Sequence, residues 1–283
     1  MQLGIFAKTF ERPTLRDVLS AVKAHGLNCV QFNMSCVGLA SLPDQIDPEV
    51  ADSIHQEAER QGIKIAAISG TFNMIDPDVR KRKIGLQRLR VLASACKQMG
   101  TRVITLCTGS RDPNSMWARH RDNDSHEAWA DLITSMTDAL SIAEKYQITL
   151  AIEPEVSNVV DSARKSRLLL NEMKSSHLKV VMDGANLFHE GELPKMRRIL
   201  EDAFELLGDE IILAHAKDLS RDGAAGQKAA GTGLLEYDQY LSLLNAVGFD
   251  GPLILHGLTE AQVPLSVTFV QEKLSHIEKR MVY

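Results

Sequence analysis

The sequence predicts an α/β protein built as a single (β/α)8 barrel over residues 1–283. Three observations carry this. Eight short apolar runs recur along the chain, stretches of helical periodicity separate them, and residues able to bind a metal end four consecutive runs. Eight copies of one unit favour a closed barrel over an open doubly wound sheet, and no GxGxxG follows the first run.

The predicted strands are Leu3 to Ala7, Cys29 to Phe32, Ile63 to Ser69, Arg102 to Cys107, Ile148 to Glu153, Leu178 to Asp183, Ile211 to Ala216 and Pro252 to His256. Helices are expected where apolar residues return every three or four positions: Leu15, Val18, Leu19 and Val22, then Ile84, Leu86, Leu89, Val91 and Leu92. Leu132, Ile133, Met136, Leu140 and Ile142 form a third such stripe, and Leu241, Leu243, Leu244 and Val247 a fourth. Gly26, Gly62, Gly100 and Gly248 each precede a strand, where a left-handed residue ends a helix and turns the chain back. The loops after the second, fourth and seventh strands run long, and on a barrel such loops build the site. No Pro, Gly or Ser-rich linker divides the chain, so it reads as one domain.

With 283 residues, 44% hydrophobic and 24% charged, the chain can bury one large core. A net charge of -5 and a pI near 6.0 argue against nucleic acid as a partner, and Arg80 to Lys83 reads as the solvated face of a helix. No segment approaches the ~20 apolar residues of a membrane span, and the N-terminus enters Leu3-Gly-Ile-Phe-Ala without a signal pattern. The expectation is a cytoplasmic protein without a membrane partner. Homo-oligomerisation is left open. Cys29, Cys36, Cys96 and Cys107 show no CxxC pairing, which fits reduced thiols.

Glu153, Asp183, His215 and His256 stand at the ends of the last four predicted strands. Carboxyl ends of parallel strands gather on one face, so these four donors can converge on one metal ion although tens of residues separate them. Each also has a structural alternative: a strand-end carboxylate paired with Lys or Arg, an aspartate capping the Gly184-Ala-Asn186 turn, a hydrogen-bonded core histidine. Their coincidence at one structural level favours the metal. Two histidines and two carboxylates suit Mn, Zn, Co or Fe better than Mg or Ca.

The motifs Ala151-Ile-Glu-Pro154, Val180-Val-Met-Asp183 and His215-Ala-Lys-Asp218 resemble those of the xylose isomerase-like barrels. Within these, the chain is most similar to the sugar phosphate isomerase/epimerase group that includes ketose 3-epimerases, inosose dehydratase and hydroxypyruvate isomerase. The resemblance implies that Glu153, Asp183 and His215 are metal ligands and that Arg221 binds substrate. It also puts Asn186 where the family commonly carries a substrate-contacting histidine, and His256 where it commonly carries a second glutamate that serves as ligand and acid/base. The nuclease branch adds histidines on strands two to four and seven, whereas the second, third and fourth strands here end in Gln31-Phe32, Ser69 and Cys107, which argues against nuclease activity.

The expected chemistry is a divalent-metal-dependent isomerisation or epimerisation of a sugar, polyol or sugar phosphate through an enediolate, with Glu153 as base and His256 or Glu155 as second acid. Glu155 is otherwise expected to be a solvated loop carboxylate. Trp117, Met116 and Phe72 offer an apolar wall, Lys8, Gln31 and Asn33 could meet hydroxyls, and Lys217 and Arg221 could meet a phosphate or carboxylate. The alternatives are an inosose-type dehydratase on the same scaffold and a non-catalytic sugar-binding barrel.

Overall fold

The computed structural model describes residues 1–280, side chains of 278–280 excepted. Its strands are β1 (Gln2–Phe6), β2 (Cys29–Phe32), β3 (Lys64–Ser69), β4 (Val103–Leu106), β5 (Thr149–Ile152), β6 (Leu178–Asp183), β7 (Ile211–Asp218), the two-residue β8 (Lys228–Ala229) and β9 (Pro252–Leu255). The helices are α1 (Leu15–Ala24), α2 (Pro48–Gln61), α3 (Val79–Cys96), α4 (His126–Tyr146), α5 (Ala163–Met173), α6 (Met196–Leu207), α7 (Tyr237–Ala246) and α8 (Val263–Arg280). Strands β1 to β7 and β9 pair in parallel, in the order β6-β5-β4-β3-β2-β1-β9-β7, and pairing of β6 with β7 closes the barrel. The eight predicted strands all form. β8 was not expected: it folds back antiparallel on β7, pairing Lys217 with Ala229.

The left-handed glycines sit where the sequence places them, with φ of +75, +66, +90 and +72° at Gly26, Gly62, Gly100 and Gly248. Helix α3 departs from its expected phase. Leu89 and Leu92 are buried, but Ile84 is 44% exposed, and Gly85 and Arg82 face inward instead. The run Arg80 to Lys83 is therefore not wholly a solvated face, because Arg82 is buried and paired with Asp131. That aspartate also takes Arg111 at 2.5 Å, so burial of the guanidinium is matched by a counter-charge. No cysteine is disulfide-bonded. No described helix is long and apolar enough to cross a membrane.

Strand alternation divides the interior into two cores. The larger lies between sheet and helices. The smaller fills the barrel with Phe6, Cys29, Ala66, Ala67, Ala151, Val181, Leu213 and Ile254. Because side chains on a strand repeat every second residue, the positions two further along share this inner direction. Beyond Cys29, Ala67, Ala151, Val181, Leu213 and Ile254 they are Gln31, Ser69, Glu153, Asp183, His215 and His256, so the apolar floor of the barrel gives way to one polar layer at its carboxyl end.

Candidate active site

Backbone register sets the positions of the four proposed ligands. Asp183 and His215 are direct partners across the closing β6–β7 seam. Glu153 follows β5 and donates its N–H to Leu106 O, and His256 follows β9 and donates its N–H to Ala216 O. Ligand atoms of Asp183, His215 and His256 lie within 4.8 Å of one another, and Glu153 Oε1 is 3.4 Å from His215 Nδ1. Asp183 Oδ2 lies at the same 3.4 Å from that nitrogen.

Gln31 fixes the state of His215. Its side-chain N–H donates to Thr105 Oγ1, so its carbonyl oxygen is the atom 2.9 Å from His215 Nε2. An acceptor there requires Nε2 to carry a proton, and Nδ1 is left facing two carboxylates. In the metal-free protein burial opposes a charge on His215, but Glu153 and Asp183 outweigh it and push its pKa up to about 9. A bound cation would remove the need for that proton. His215 Nδ1 and His256 Nδ1 are buried without a hydrogen bond, and Asp183 Oδ2 beside them is met by the ammonium of Lys217. Two unpartnered imidazole nitrogens converging with two carboxylates at one buried point are costly unless a cation takes their lone pairs, so this donor set fits a divalent metal.

Lys217, two residues beyond His215 and on the same inner face, brings its Nζ to 2.8 Å from Asp183 Oδ2. Gly257, which follows His256 and has φ of +69°, leaves room for its stem: a Cβ there would come within 2.9 Å of the lysine side chain. Burial works against the Lys217 charge, yet Asp183, Glu153 and Glu155 hold its pKa above the usual value. Burial likewise opposes the charge on Asp183, but Lys217 and His215 hold that carboxyl well below the usual range. His256 stacks on His215 at 4.9 Å between ring centres. Burial, then the charges of His215 and Lys217, push its pKa well below the ordinary histidine value, so it is a neutral imidazole with a free lone pair.

Glu155 is 5% exposed and lines the same cavity as Glu153, His215, Lys217, His256 and Trp117. It is thus no solvated loop carboxylate. Burial, then repulsion from Glu153, raises its pKa to about 8, and its Oε1 is buried without a hydrogen bond. The cavity measures about 500 Å³. Lys8 lines it with its ammonium 4.6 Å from the Phe6 ring centre.

Other candidates fall elsewhere. Asn186 donates to Glu153 Oε1 at 2.7 Å and accepts from Gly226 N, which makes it a holder of Glu153. Asn33 is a buried cap for Ser35 N and Ser41 Oγ. Arg221 is exposed and does not line the cavity. Two contributors were not among the candidate site residues, Tyr240 and the Asp218 that ends the His215-Ala-Lys-Asp218 motif. Tyr240 OH on α7 points to Met182 O at 2.9 Å and His215 O at 3.0 Å, bracing the seam beneath Asp183 and His215. Asp218 accepts from the N–H groups of Leu219, Gly231, Gly233 and Leu235, folding the β7–α7 loop over the site.

The fold and this cluster define a (β/α)8 barrel with a donor-rich site at the carboxyl end of its strands. The chain belongs to the xylose isomerase-like TIM barrel family, whose model matches residues 10–271. No curated protein matches it significantly by sequence. Among solved structures it resembles a D-tagatose 3-epimerase-like protein at 16% identity and TM-score 0.78, over 99% of this chain and 100% of that one. It also resembles an IolI protein with a bound zinc atom, at 16% identity and TM-score 0.72 over 98% of each chain. A D-psicose 3-epimerase with D-tagatose from Clostridium cellulolyticum H10 matches at 15% identity and TM-score 0.71, over 99% of each chain. At these identities the likeness establishes the fold.

Proposed function

We propose that the protein is a divalent-metal-dependent sugar or polyol isomerase or epimerase that works through an enediolate. The observation that carries this reading is His215 Nδ1, set between two carboxylates while Gln31 occupies its other nitrogen. Family membership and epimerases among the structural relatives support it. An ion held by Glu153, Asp183, His215 and His256 would polarise a substrate carbonyl and stabilise the enediolate formed beside it. Glu153, held by Asn186 and facing the cavity, removes the proton from the adjacent carbon. Lys217, paired with Asp183 Oδ2, keeps that carboxylate ionised beside the reacting centre. Glu155, protonated near neutral pH, stands ready to return a proton. With Lys217 committed to Asp183 and Arg221 outside the cavity, neither of the two cations expected to meet a phosphate offers one a site, and Lys8 in the cavity wall is left to meet polar groups of the sugar.

A second reading, a dehydratase on the same site, draws on Glu155, since loss of water requires an acid beside the departing hydroxyl. Incubation with ketoses, inososes and their phosphates in deuterated water separates the two. Deuterium entering the substrate without loss of water supports the isomerase or epimerase, water loss supports the lyase, and neither process in metal-loaded protein rejects both. Glu153→Gln should abolish the exchange while the barrel stays folded.

A further inference from the structure

A second cavity of about 590 Å³ lies beside the site, and Thr71 and Trp117 line both spaces. The indole of Trp117, 51% exposed, is thus a wall shared by the two cavities. Phe72, Ile84 and Met116 line the second cavity with it. Phe72 is seated against α3 at Gly85, where a Cβ would come within 2.2 Å of the ring, so the glycine keeps the aromatic side chain in this wall. The Asn114 side chain also lines the cavity and makes no hydrogen bond among the described residues. Both wall cations are already committed, Arg88 to Asp44 at 2.7 Å and Lys81 to Asp76 at 3.6 Å, so the cavity offers no free positive charge to an anion. Aromatic faces, a free amide, no free positive charge and the Asp112 carboxylate as an acceptor suit an uncharged pyranose ring, whose C–H face packs on indole while its hydroxyls meet the amide and the carboxylate.

We propose that the substrate is a ketose carrying a second, uncharged sugar unit in glycosidic linkage. The ketose occupies the cavity at Glu153 and His215, and the second ring lies across Trp117 in the neighbouring cavity. This rests on the enolising reading of the site and names its substrate class.

The test compares D-fructose with four glucosyl-fructoses of different linkage, leucrose, turanose, maltulose and isomaltulose, by deuterium exchange in metal-loaded enzyme. At least one disaccharide should exceed fructose in kcat/KM by about tenfold. Ile84→Arg, at an exposed position on α3, fills the second cavity. It should remove that advantage and leave the fructose rate within about twofold of wild type. No disaccharide faster than fructose, or equal loss of both substrates in the variant, overturns the proposal. If no sugar exchanges at all, the enolising reading fails by itself and binding decides the second cavity. Trp129→Phe leaves Trp117 as the sole tryptophan of the two in the chain. Its fluorescence should then respond to a disaccharide at about a tenth of the concentration required for fructose, and Ile84→Arg should abolish this. A response that is absent, or unchanged by Ile84→Arg, overturns the second site.

Discussion

Asp183 Oδ2 and His215 Nδ1 stand 3.4 Å apart across the seam that closes the barrel, and the ammonium of Lys217 meets the same Asp183 oxygen at 2.8 Å. The closure that stabilises the fold therefore also creates the point where positive charge is needed. Gln31, from the opposite wall, settles which nitrogen of His215 faces that point.

Replacing Gln31 by Leu removes the acceptor for His215 Nε2 and frees the ring to change tautomer or turn. Affinity for Zn or Mn, measured by titration calorimetry, should fall by about 10- to 100-fold with the barrel still folded. Unchanged affinity would remove Gln31 from the site.

Glu155→Gln tests the buried carboxyl. Since its folded pKa, about 8, lies above the ordinary 4.5, the folded protein holds this proton longer than the unfolded chain does. Its contribution is full below 4.5 and is lost as pH rises through about 8. Thermal melts of the metal-free protein should show Glu155→Gln gaining on wild type across that window and levelling above it. A constant difference at all pH values would contradict the burial argument.

Asp218→Ala leaves four backbone N–H groups without their acceptor. A loss on the order of 3 kcal/mol is expected from chemical denaturation, because charge-assisted hydrogen bonds are the stronger ones. Protease cleavage should appear first between residues 220 and 228, in the loop that Asp218 folds.

His256→Glu adds a carboxylate where the chain has an imidazole. If His256 is a ligand, the variant should still bind a divalent ion, with preference shifted toward Mn or Mg. Retained occupancy with a collapsed reaction would instead mark His256 as a substrate or proton contact, and no change in either would leave Glu153, Asp183 and His215 as the ligands.

The barrel was legible because strands buried on both faces become unbroken apolar runs such as Val180-Val-Met, and because ligand types close them. Phase on α3 was not, since Arg82 is buried by virtue of Asp131, about fifty residues away in sequence. Glu155 looked like a loop carboxylate because its burial comes from chain packing around β5 and from no local pattern. Gln31 and Tyr240 act through hydrogen bonds spanning 184 and 25 residues to His215, and no window of sequence contains such pairs. β8 is two residues long, too short for any periodicity to declare it.

Removing and restoring the metal while following proton exchange tests the central claim most directly. Chelated protein should show no deuterium entry beside the ketose carbonyl, one equivalent of Mn, Co or Zn per chain should restore it, and Asp183→Asn should prevent the restoration. Exchange that proceeds unchanged after complete removal of the metal would contradict it.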